Sequence, residues 1–331
     1  MAKKKRAQKE TKASAKVDPK AQDETSAKEQ RLPEGAELKK TLNNLERQHF
    51  EGLGAAWTAV TGLPAKNLIP QVIATVLTSG GTRPAWQWQN SKEEYVLMAW
   101  PKDQALRASV LMHGPLQGEL KPISAVPLLE GLPNDLTVEQ VHPWEHGGGA
   151  NVGVSMLEEG KPLWFYDPFY ERDKADLTVD VTHTFLLGAL AFGVRRALLD
   201  EITIAKGPNY EEYAAAYLAE HPDLTSVDVP PLKIKINGQH FIYPGQAYGE
   251  YQLRCVVQEV EDCQLEKMPI KILYTQFPMP ERPPLSVPIY VAKVNLGDFE
   301  PKVGDEIDAY VWFQGRVVDF DLDEQEEKAE A

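Results

Sequence analysis

One stretch near the end of the chain, residues 303–317, constrains the fold more than any other. It reads Val-Gly-Asp-Glu-Ile-Asp-Ala-Tyr-Val-Trp-Phe-Gln-Gly-Arg-Val. The Gly-Asp pair at 304–305 is a turn signal, and the alternation directly behind it has the period of a β-strand with one buried face. The Gln-Gly pair at 314–315 predicts a bend into a second strand, Arg316–Phe320. Strands like these need partners, so we expect a sheet of several strands here.

Three further β-like runs precede this stretch, at Tyr251–Val260, Leu265–Phe277 and Val287–Val294. With the two strands around residues 314–315 they make five, a pattern that resembles the OB-fold, a partly open Greek-key barrel. An SH3-like barrel and a plain β-sandwich are also compatible with these runs. We therefore predict a small antiparallel OB-like β-barrel domain over residues 230–322.

The predicted barrel carries aromatic and basic side chains that could form a ligand-binding face. The candidates are Tyr290, Lys293, Tyr310, Trp312 and Arg316. Seven Asp and Glu residues lie between positions 298 and 321, so the phosphates of a nucleic acid would meet a negative field. We expect a protein or peptide ligand, with single-stranded nucleic acid as an alternative. A second interpretation is that the aromatic rings fill the barrel or pack on the neighbouring domain.

The middle of the chain predicts a mixed α+β domain over residues 36–225. Order is expected to begin near Leu38, residues from Leu42 to Val60 recur at helical spacing, and a second helix is expected at Ile69–Leu77. Short β-segments separated by Gly and Pro turns begin near residue 84. They lead to two stronger strands, Ala150–Met156 and Pro162–Tyr166.

Two more helices are predicted behind these strands. Thr182–Leu199 is apolar on most faces and reads as a buried helix, and Asn209–Glu220 places three tyrosines on one side of a helix. Residues 223–248 are rich in Pro and Gly and mark a domain boundary, where the Asn-Gly pair at 237–238 predicts a hairpin. The fold class is therefore α+β, with N-terminal helices and a mixed α+β domain followed by the barrel.

The charge of the chain is distributed unevenly. The net charge is −14, yet residues 1–31 carry ten Lys and Arg against five acids, and residues 319–331 carry seven acids and one Lys. We expect residues 1–33 to be a disordered basic tail and residues 323–331 an acidic tail. The basic tail is a solubilising segment or an arm for RNA or an acidic partner.

Composition favours a cytoplasmic protein without a membrane span. The longest apolar run, Phe185–Val194, has ten residues, and a span needs about twenty. The N-terminus lacks the apolar core of a signal peptide. The two cysteines, Cys255 and Cys263, cannot form a disulfide framework or a four-ligand zinc site.

One tract suggests chemistry. The sequence His142-Pro-Trp-Glu145-His146 matches H-x-x-E-H, in which a helix sets two imidazoles on one face as zinc ligands beside a glutamate base. Three glycines follow at once, and a continuous helix is not expected there. In a looser version, Asp167, Glu171 and Asp173 from the next turn join this loop around a metal or a small polar ligand. The alternative is that these residues form ordinary turns.

We therefore predict a non-catalytic, cytosolic interaction protein without a cofactor, which uses the barrel and the aromatic-rich α+β domain. We expect a protein partner, and nucleic acid could be reached through the basic arm. Two alternatives remain: a metal-dependent hydrolase centred on His142, Glu145 and His146, and a single-stranded nucleic-acid-binding OB-fold protein.

Overall fold

Strands dominate the architecture, which is a β-rich α+β fold. The computed structural model describes residues 55–62, 68–79, 86–102, 104–144, 148–155, 162–279 and 282–318. The predicted basic tail, the predicted acidic tail and the first predicted helix up to residue 54 lie outside these ranges.

The described part of the chain contains four helices. They are α1 (residues 55–61), α2 (Leu68–Thr78), α3 (Tyr170–Asp173) and α4 (Pro208–Glu220), with a 3-10 turn at Lys293–Asn295. The helices predicted near α2 and α4 are thus confirmed. Trp57 anchors α1, because its ring is buried and its Nε1 donates to the Ala125 carbonyl at 2.9 Å. Among the described residues, no helix has both the length and the apolar character to cross a membrane.

The first sheet is an antiparallel meander of four strands. Its strands are β1 (Trp86–Gln89), β2 (Glu93–Trp100), β3 (Leu106–Pro115) and β4 (Lys121–Leu129). Asn90 shapes the turn between the first two, since its Oδ1 accepts hydrogen bonds from the backbone N–H groups of Lys92 and Glu93. The β-segments predicted from residue 84 onward are confirmed.

A second sheet has nine strands and draws them from both halves of the chain. They are β5 (Leu132–Pro143), β6 (Ala150–Ser155), β7 (Leu163–Asp167), β8 (Thr182–Arg196), β11 (Phe241–Pro244), β12 (Glu250–Leu265), β13 (Met268–Met279), β14 (Arg282–Ala292) and β15 (Glu306–Val317). A separate ribbon of two strands, β9 (Glu201–Ile204) and β10 (Leu232–Lys235), flanks α4 in the sequence.

Five strands of the large sheet form a ring. The meander β12–β13–β14 is antiparallel, and β14 pairs in parallel with β8 at Ile289–Val291. β8 then pairs antiparallel with β15, and β15 pairs back with β12. The side chains inside are fully buried, among them Leu187, Val287 and Phe313. This interior is the main hydrophobic core.

A second core lies between the four-stranded sheet and the outer surface of the ring. Leu106 and Val110 of β3 belong to it, together with Leu190, Tyr290 and Trp312 from the ring. Each of these residues is at most 5% exposed. The two sheets are therefore layers of one packed structure.

The predicted helix at Thr182–Leu199 is wrong, because this segment is strand β8. An unbroken apolar run fits a buried helix and a buried strand equally well. β8 pairs with β5 and β14 on one side and with β15 on the other, so both of its edges are paired, and its centre, residues 187–191, is buried. This segment is a strand because it pairs with strands that are distant in the sequence, and the local periodicity of a sequence does not show such pairing.

The predicted hairpin around residues 237–238 is also wrong. A turn does occur there, and Gly238 has a φ of 72°. The flanking strands, however, pair elsewhere: β10 with β9, and β11 with β12. The turn signal was correct, and the assumption that neighbouring strands pair with each other was not.

The predicted bend at residues 314–315 is absent, since β15 runs without a break through both positions. Gly315 does not form a turn. It allows β15 to pack closely against β7 and β8. A Cβ built on Gly315 would lie 2.8 Å from the ring of Phe165 and 3.1 Å from Leu187. A larger residue here would push β15 away from β7.

The predicted division at residues 225–230 remains a prediction. Strands from both sides of it share the large sheet, and β8 pairs with β15 over eleven positions, from Phe185 to Arg196. If there are two domains with a boundary here, they share one sheet.

Candidate functional site

Two of the five predicted ligand-binding residues are buried. Tyr290 is 1% exposed and its hydroxyl donates to the Glu130 carbonyl at 2.7 Å, and burial raises the pKa of this hydroxyl. Trp312 is 5% exposed and stacks on Tyr166 with 5.5 Å between ring centres. Both rings belong to the core between the two sheets, which is the packing alternative considered from the sequence.

Tyr310 and Lys293 lie in different surroundings. The Tyr310 hydroxyl donates to a carboxylate oxygen of Glu250, and its ring packs against Phe192 at 5.4 Å. The Lys293 side chain is 65% exposed, with its Nζ 3.8 Å from a carboxylate oxygen of Glu300. One open binding face is therefore not formed by these four predicted residues, Tyr290, Lys293, Tyr310 and Trp312.

Arg316 lies in a cluster of cationic and aromatic side chains. Its Cζ is 5.7 Å from the centre of the Trp86 ring and 5.5 Å from that of Phe169. Arg107 lies over Trp86 at 5.4 Å, and Arg172 over Phe169 at 4.8 Å. We call these five residues the arginine–aromatic cluster. Guanidinium groups over aromatic faces are favourable contacts of about 0.5–2 kcal/mol each.

Four separate elements bring the cluster together. Trp86 opens β1, Arg107 lies in β3, and Arg316 lies near the end of β15. Phe169 and Arg172 lie in the turn–helix segment after β7, Phe169 at the N-cap of α3 and Arg172 within that helix. The cluster therefore sits where the four-stranded sheet meets the ring.

Asp167 organises that tight turn. Its Oδ1 accepts a hydrogen bond from the Phe169 backbone N–H at 2.7 Å, the usual role of aspartate in an Asp-Pro turn. The short helix α3 follows and carries Arg172, whose guanidinium pairs with Asp173. The sequence around Asp167 thus fixes the positions of two cluster members.

The Arg316 guanidinium is only partly solvated. Burial, followed by the nearby charges of Arg107 and Arg172, lowers its pKa, although Glu130 and Asp167 act in the opposite direction. Its Nε atom is buried and has no hydrogen-bond partner among the described residues. A buried donor without an acceptor is costly, and an oxyanion that reached this guanidinium would accept a charge-assisted hydrogen bond.

Asp167 is a second buried polar side chain beside the cluster. The residue is completely buried, and its Oδ2 has no hydrogen-bond partner in the described part of the chain. Burial and the neighbouring Asp173 raise its pKa well above the ordinary range, against the smaller effects of the Phe169 hydrogen bond and of two arginines. A neutral carboxyl at this position could donate a hydrogen bond. The cluster is therefore suited to holding a carboxylate or another oxyanion.

Of the looser set around the turn, Asp167 and Asp173 are brought close together, and the charge of Asp173 helps to raise the pKa of Asp167. Glu171 points elsewhere: it accepts hydrogen bonds from Lys174 at 2.8 Å and from the Tyr95 hydroxyl at 3.4 Å. Within the described ranges, no group of three His, Cys, Asp or Glu residues is arranged to hold a metal ion.

The His142 tract is described only in part, because Glu145 and His146 lie outside the described residues. His142 belongs to strand β5, where it pairs with Asn151. Its ring lies against Trp164 at 4.6 Å and Tyr248 at 5.7 Å, and its Nδ1 is buried. The zinc-site hypothesis stays a prediction, and at His142 the backbone is a strand where the motif uses a helix.

A cleft of about 580 Å³ lies between β5, β8 and the start of β14. The hydroxyl groups that line this cleft already have hydrogen-bond partners. Thr137 and Thr182 bond to each other at 2.8 Å, and Thr184 donates to Asp135 at 2.6 Å. We therefore place the candidate site at the arginine–aromatic cluster, where polar atoms are buried without partners.

Four members of the cluster were not predicted from the sequence: Trp86, Arg107, Phe169 and Arg172. A signal for Trp86 was present, since Trp-Gln-Trp places two indoles on one face of a short strand. Arg107 interrupts an apolar strand between Leu106 and Ala108, which is another signal. Their meeting with Arg316 depends on long-range pairing.

No protein-family model, no curated protein and no solved structure matches this chain. The function therefore has to be inferred from the chemistry of the cluster.

Proposed function

We propose that this chain is a non-catalytic interaction protein that binds a carboxylate-bearing segment of a partner protein at the arginine–aromatic cluster. The observation that carries the proposal is Arg316, a partly desolvated guanidinium between two aromatic rings, whose buried Nε has no acceptor among the described residues. A planar guanidinium binds a carboxylate through two parallel hydrogen bonds.

The composition of the cluster supports a protein ligand. Arg and Trp are enriched among the residues that contribute most to protein–protein affinity, because they combine a large apolar area with directed donors. Trp86, Arg107 and Arg316 are each partly exposed, so a ligand can reach them.

The five-strand ring supports an OB-like description of this region. The OB-fold also has five strands, and its general plan is likewise a three-strand meander closed by two further strands. The order along the chain differs, because β8 precedes the meander. We propose an OB-like ring with one strand supplied by the α+β part of the chain.

We also propose a cytoplasmic location. Both cysteines are free thiols, and Cys255 is buried, with a pKa that burial raises to about 12. Such a thiol is a small hydrophobic residue and not a reactive one.

The test is titration of hexaglutamate and of a ten-residue oligothymidylate into the full chain by calorimetry. We expect hexaglutamate to bind, and Arg316→Gln to weaken it at least tenfold, since hydrogen bonds to charged groups contribute about 1.5–3 kcal/mol. Arg195→Gln is the matched control, because that side chain is 71% exposed. Equal binding to the wild type and to Arg316→Gln would refute the proposal. Tight binding of the oligonucleotide instead, lost in Arg316→Gln, would favour the nucleic-acid alternative.

A further inference from the structure

Helix α4 carries a stripe of aromatic rings and buries none of its residues. Each of its thirteen residues keeps some exposure to solvent. Tyr210, Tyr213, Tyr217 and His221 lie in succession along one side, with ring centres 6.2, 5.8 and 4.3 Å apart. The spacing of three or four residues puts successive rings on the same face. We call these four residues the tyrosine stripe.

The elements that flank α4 in the sequence expose apolar side chains as well. Ile202 of β9 and Ile234 of β10 face each other across the ribbon and are 40% and 37% exposed. In the segment between β8 and β9, Leu198 and Leu199 are 72% and 57% exposed. Neither a helix of thirteen residues nor a two-stranded ribbon is more than marginally stable in water without packing. The three tyrosines are half-buried, and the Tyr210 hydroxyl donates to the Val229 carbonyl at 3.2 Å. Partly exposed tyrosine rings and exposed apolar side chains are typical of a surface that a partner covers.

The charge of the segment that carries the stripe favours one kind of partner. Residues 201–228 contain six acids and one lysine, and one of these acids, Glu201, pairs with Lys233 of β10 at 3.0 Å. Glu220 follows Tyr217 by three residues and is exposed, and so is Asp223 beyond the helix end. Tyrosine faces attract Lys and Arg side chains, and carboxylates beside them add ion pairs.

We infer that the tyrosine stripe is a docking site for a lysine- and arginine-rich segment of a partner protein. The basic side chains lie over the tyrosine faces and reach the carboxylates of Glu220 and Asp223. The stripe is a separate site from the arginine–aromatic cluster and recognises the opposite charge. The chain would then join an acidic partner segment to a basic one.

The test uses the full chain and a decalysine peptide at physiological salt, with a ten-residue Gly-Ser peptide as the neutral probe. We expect the double substitution Tyr213→Leu with Tyr217→Leu to weaken decalysine binding about tenfold, since it removes two cation–π contacts and leaves every charge in place. Tyr243→Leu is the matched control, because this tyrosine is 67% exposed and lies on β11. It should bind like the wild type.

Three results would overturn the inference. The first is equal binding by the wild type and the double variant, which would mean general attraction to an acidic protein. The second is an equal loss in Tyr243→Leu. The third is that light scattering shows the wild type to be a dimer without peptide and the double variant to be a monomer. In that case a second copy of the chain would occupy the stripe. If circular dichroism shows that the double variant loses helix, Tyr217→Phe should keep wild-type affinity and Tyr217→Leu should lose it.

Discussion

At the scale of single residues, two side-chain amides replace backbone pairing where strands do not meet. The Gln314 amide donates to the Pro127 carbonyl and accepts from the Leu129 N–H, both at 2.8 Å. Asn134 does the same toward Ser286, donating to its carbonyl at 2.9 Å and accepting from its N–H at 2.8 Å. Gln314 thereby links the four-stranded sheet to the ring by two hydrogen bonds, two residues before Arg316 on β15.

We predict that Gln314→Leu lowers the free energy of unfolding by about 2–4 kcal/mol. The substitution leaves a buried N–H and a buried C=O without partners, and each costs about 1–3 kcal/mol. Urea unfolding measures the change. Gln258→Leu, an exposed position on β12, should alter stability by less than about 0.5 kcal/mol. A loss of the same size in both variants would show that the two hydrogen bonds contribute little.

We predict that Asp167→Asn stabilises the protein at neutral pH, by about 1 kcal/mol or more. The pKa of Asp167 is raised in the folded state, so folding opposes ionisation, and the wild type loses stability as the pH rises from the unfolded value, about 4, through the folded one. Asparagine keeps an oxygen for the Phe169 N–H and carries no charge.

Urea unfolding at pH 4, 6 and 8 tests this prediction. The difference between Asp167→Asn and the wild type should be small at pH 4 and should grow with pH. The exposed Asp176, changed to Asn, provides the control. A variant less stable than the wild type at pH 8 would mean that the ionised carboxylate is held favourably by Arg172 and Arg316.

At the scale of elements, the close packing of β15 on β7 sets the position of Arg316. We predict that Gly315→Ala destabilises the fold by about 1–3 kcal/mol, because the new methyl group would lie 2.8 Å from the Phe165 ring. Gly193→Ala is a control of opposite sign. Apart from its chain neighbours, no atom of the described residues lies within 4 Å of its new methyl group, and alanine is better than glycine inside a strand by about 0.5–1 kcal/mol. Equal effects in both variants would contradict the packing explanation.

Elements with local signals were predictable from the sequence. The four-strand meander, the strands β6 and β7, and the helices α2 and α4 follow from turn residues and periodicity. β8 was not, because its apolar run has no period that separates a buried strand from a buried helix. Of the candidate site, only Arg316 was named as a ligand-binding residue, since a sequence does not record which distant strands pair.

At the scale of the whole molecule, the ring joins strands from both sides of the predicted domain boundary. β8 lies before it, and β12 to β15 lie after it. We predict that both sides unfold together. Fluorine labels on the tryptophans, read by NMR during urea unfolding, should give the same midpoint for Trp164 and Trp312. A separate midpoint for Trp312 would support two independent domains.

The central claim is that the Arg316 guanidinium receives a carboxylate from a partner. NMR of the full chain labelled with ¹⁵N-arginine tests it directly, with the Arg316 Nε–H signal assigned by its loss in Arg316→Gln. We predict that hexaglutamate shifts this signal saturably and leaves the exposed Arg195 unchanged. An Arg316 signal that stays in place while the peptide binds, or a shift of Arg195 in its stead, would contradict the claim.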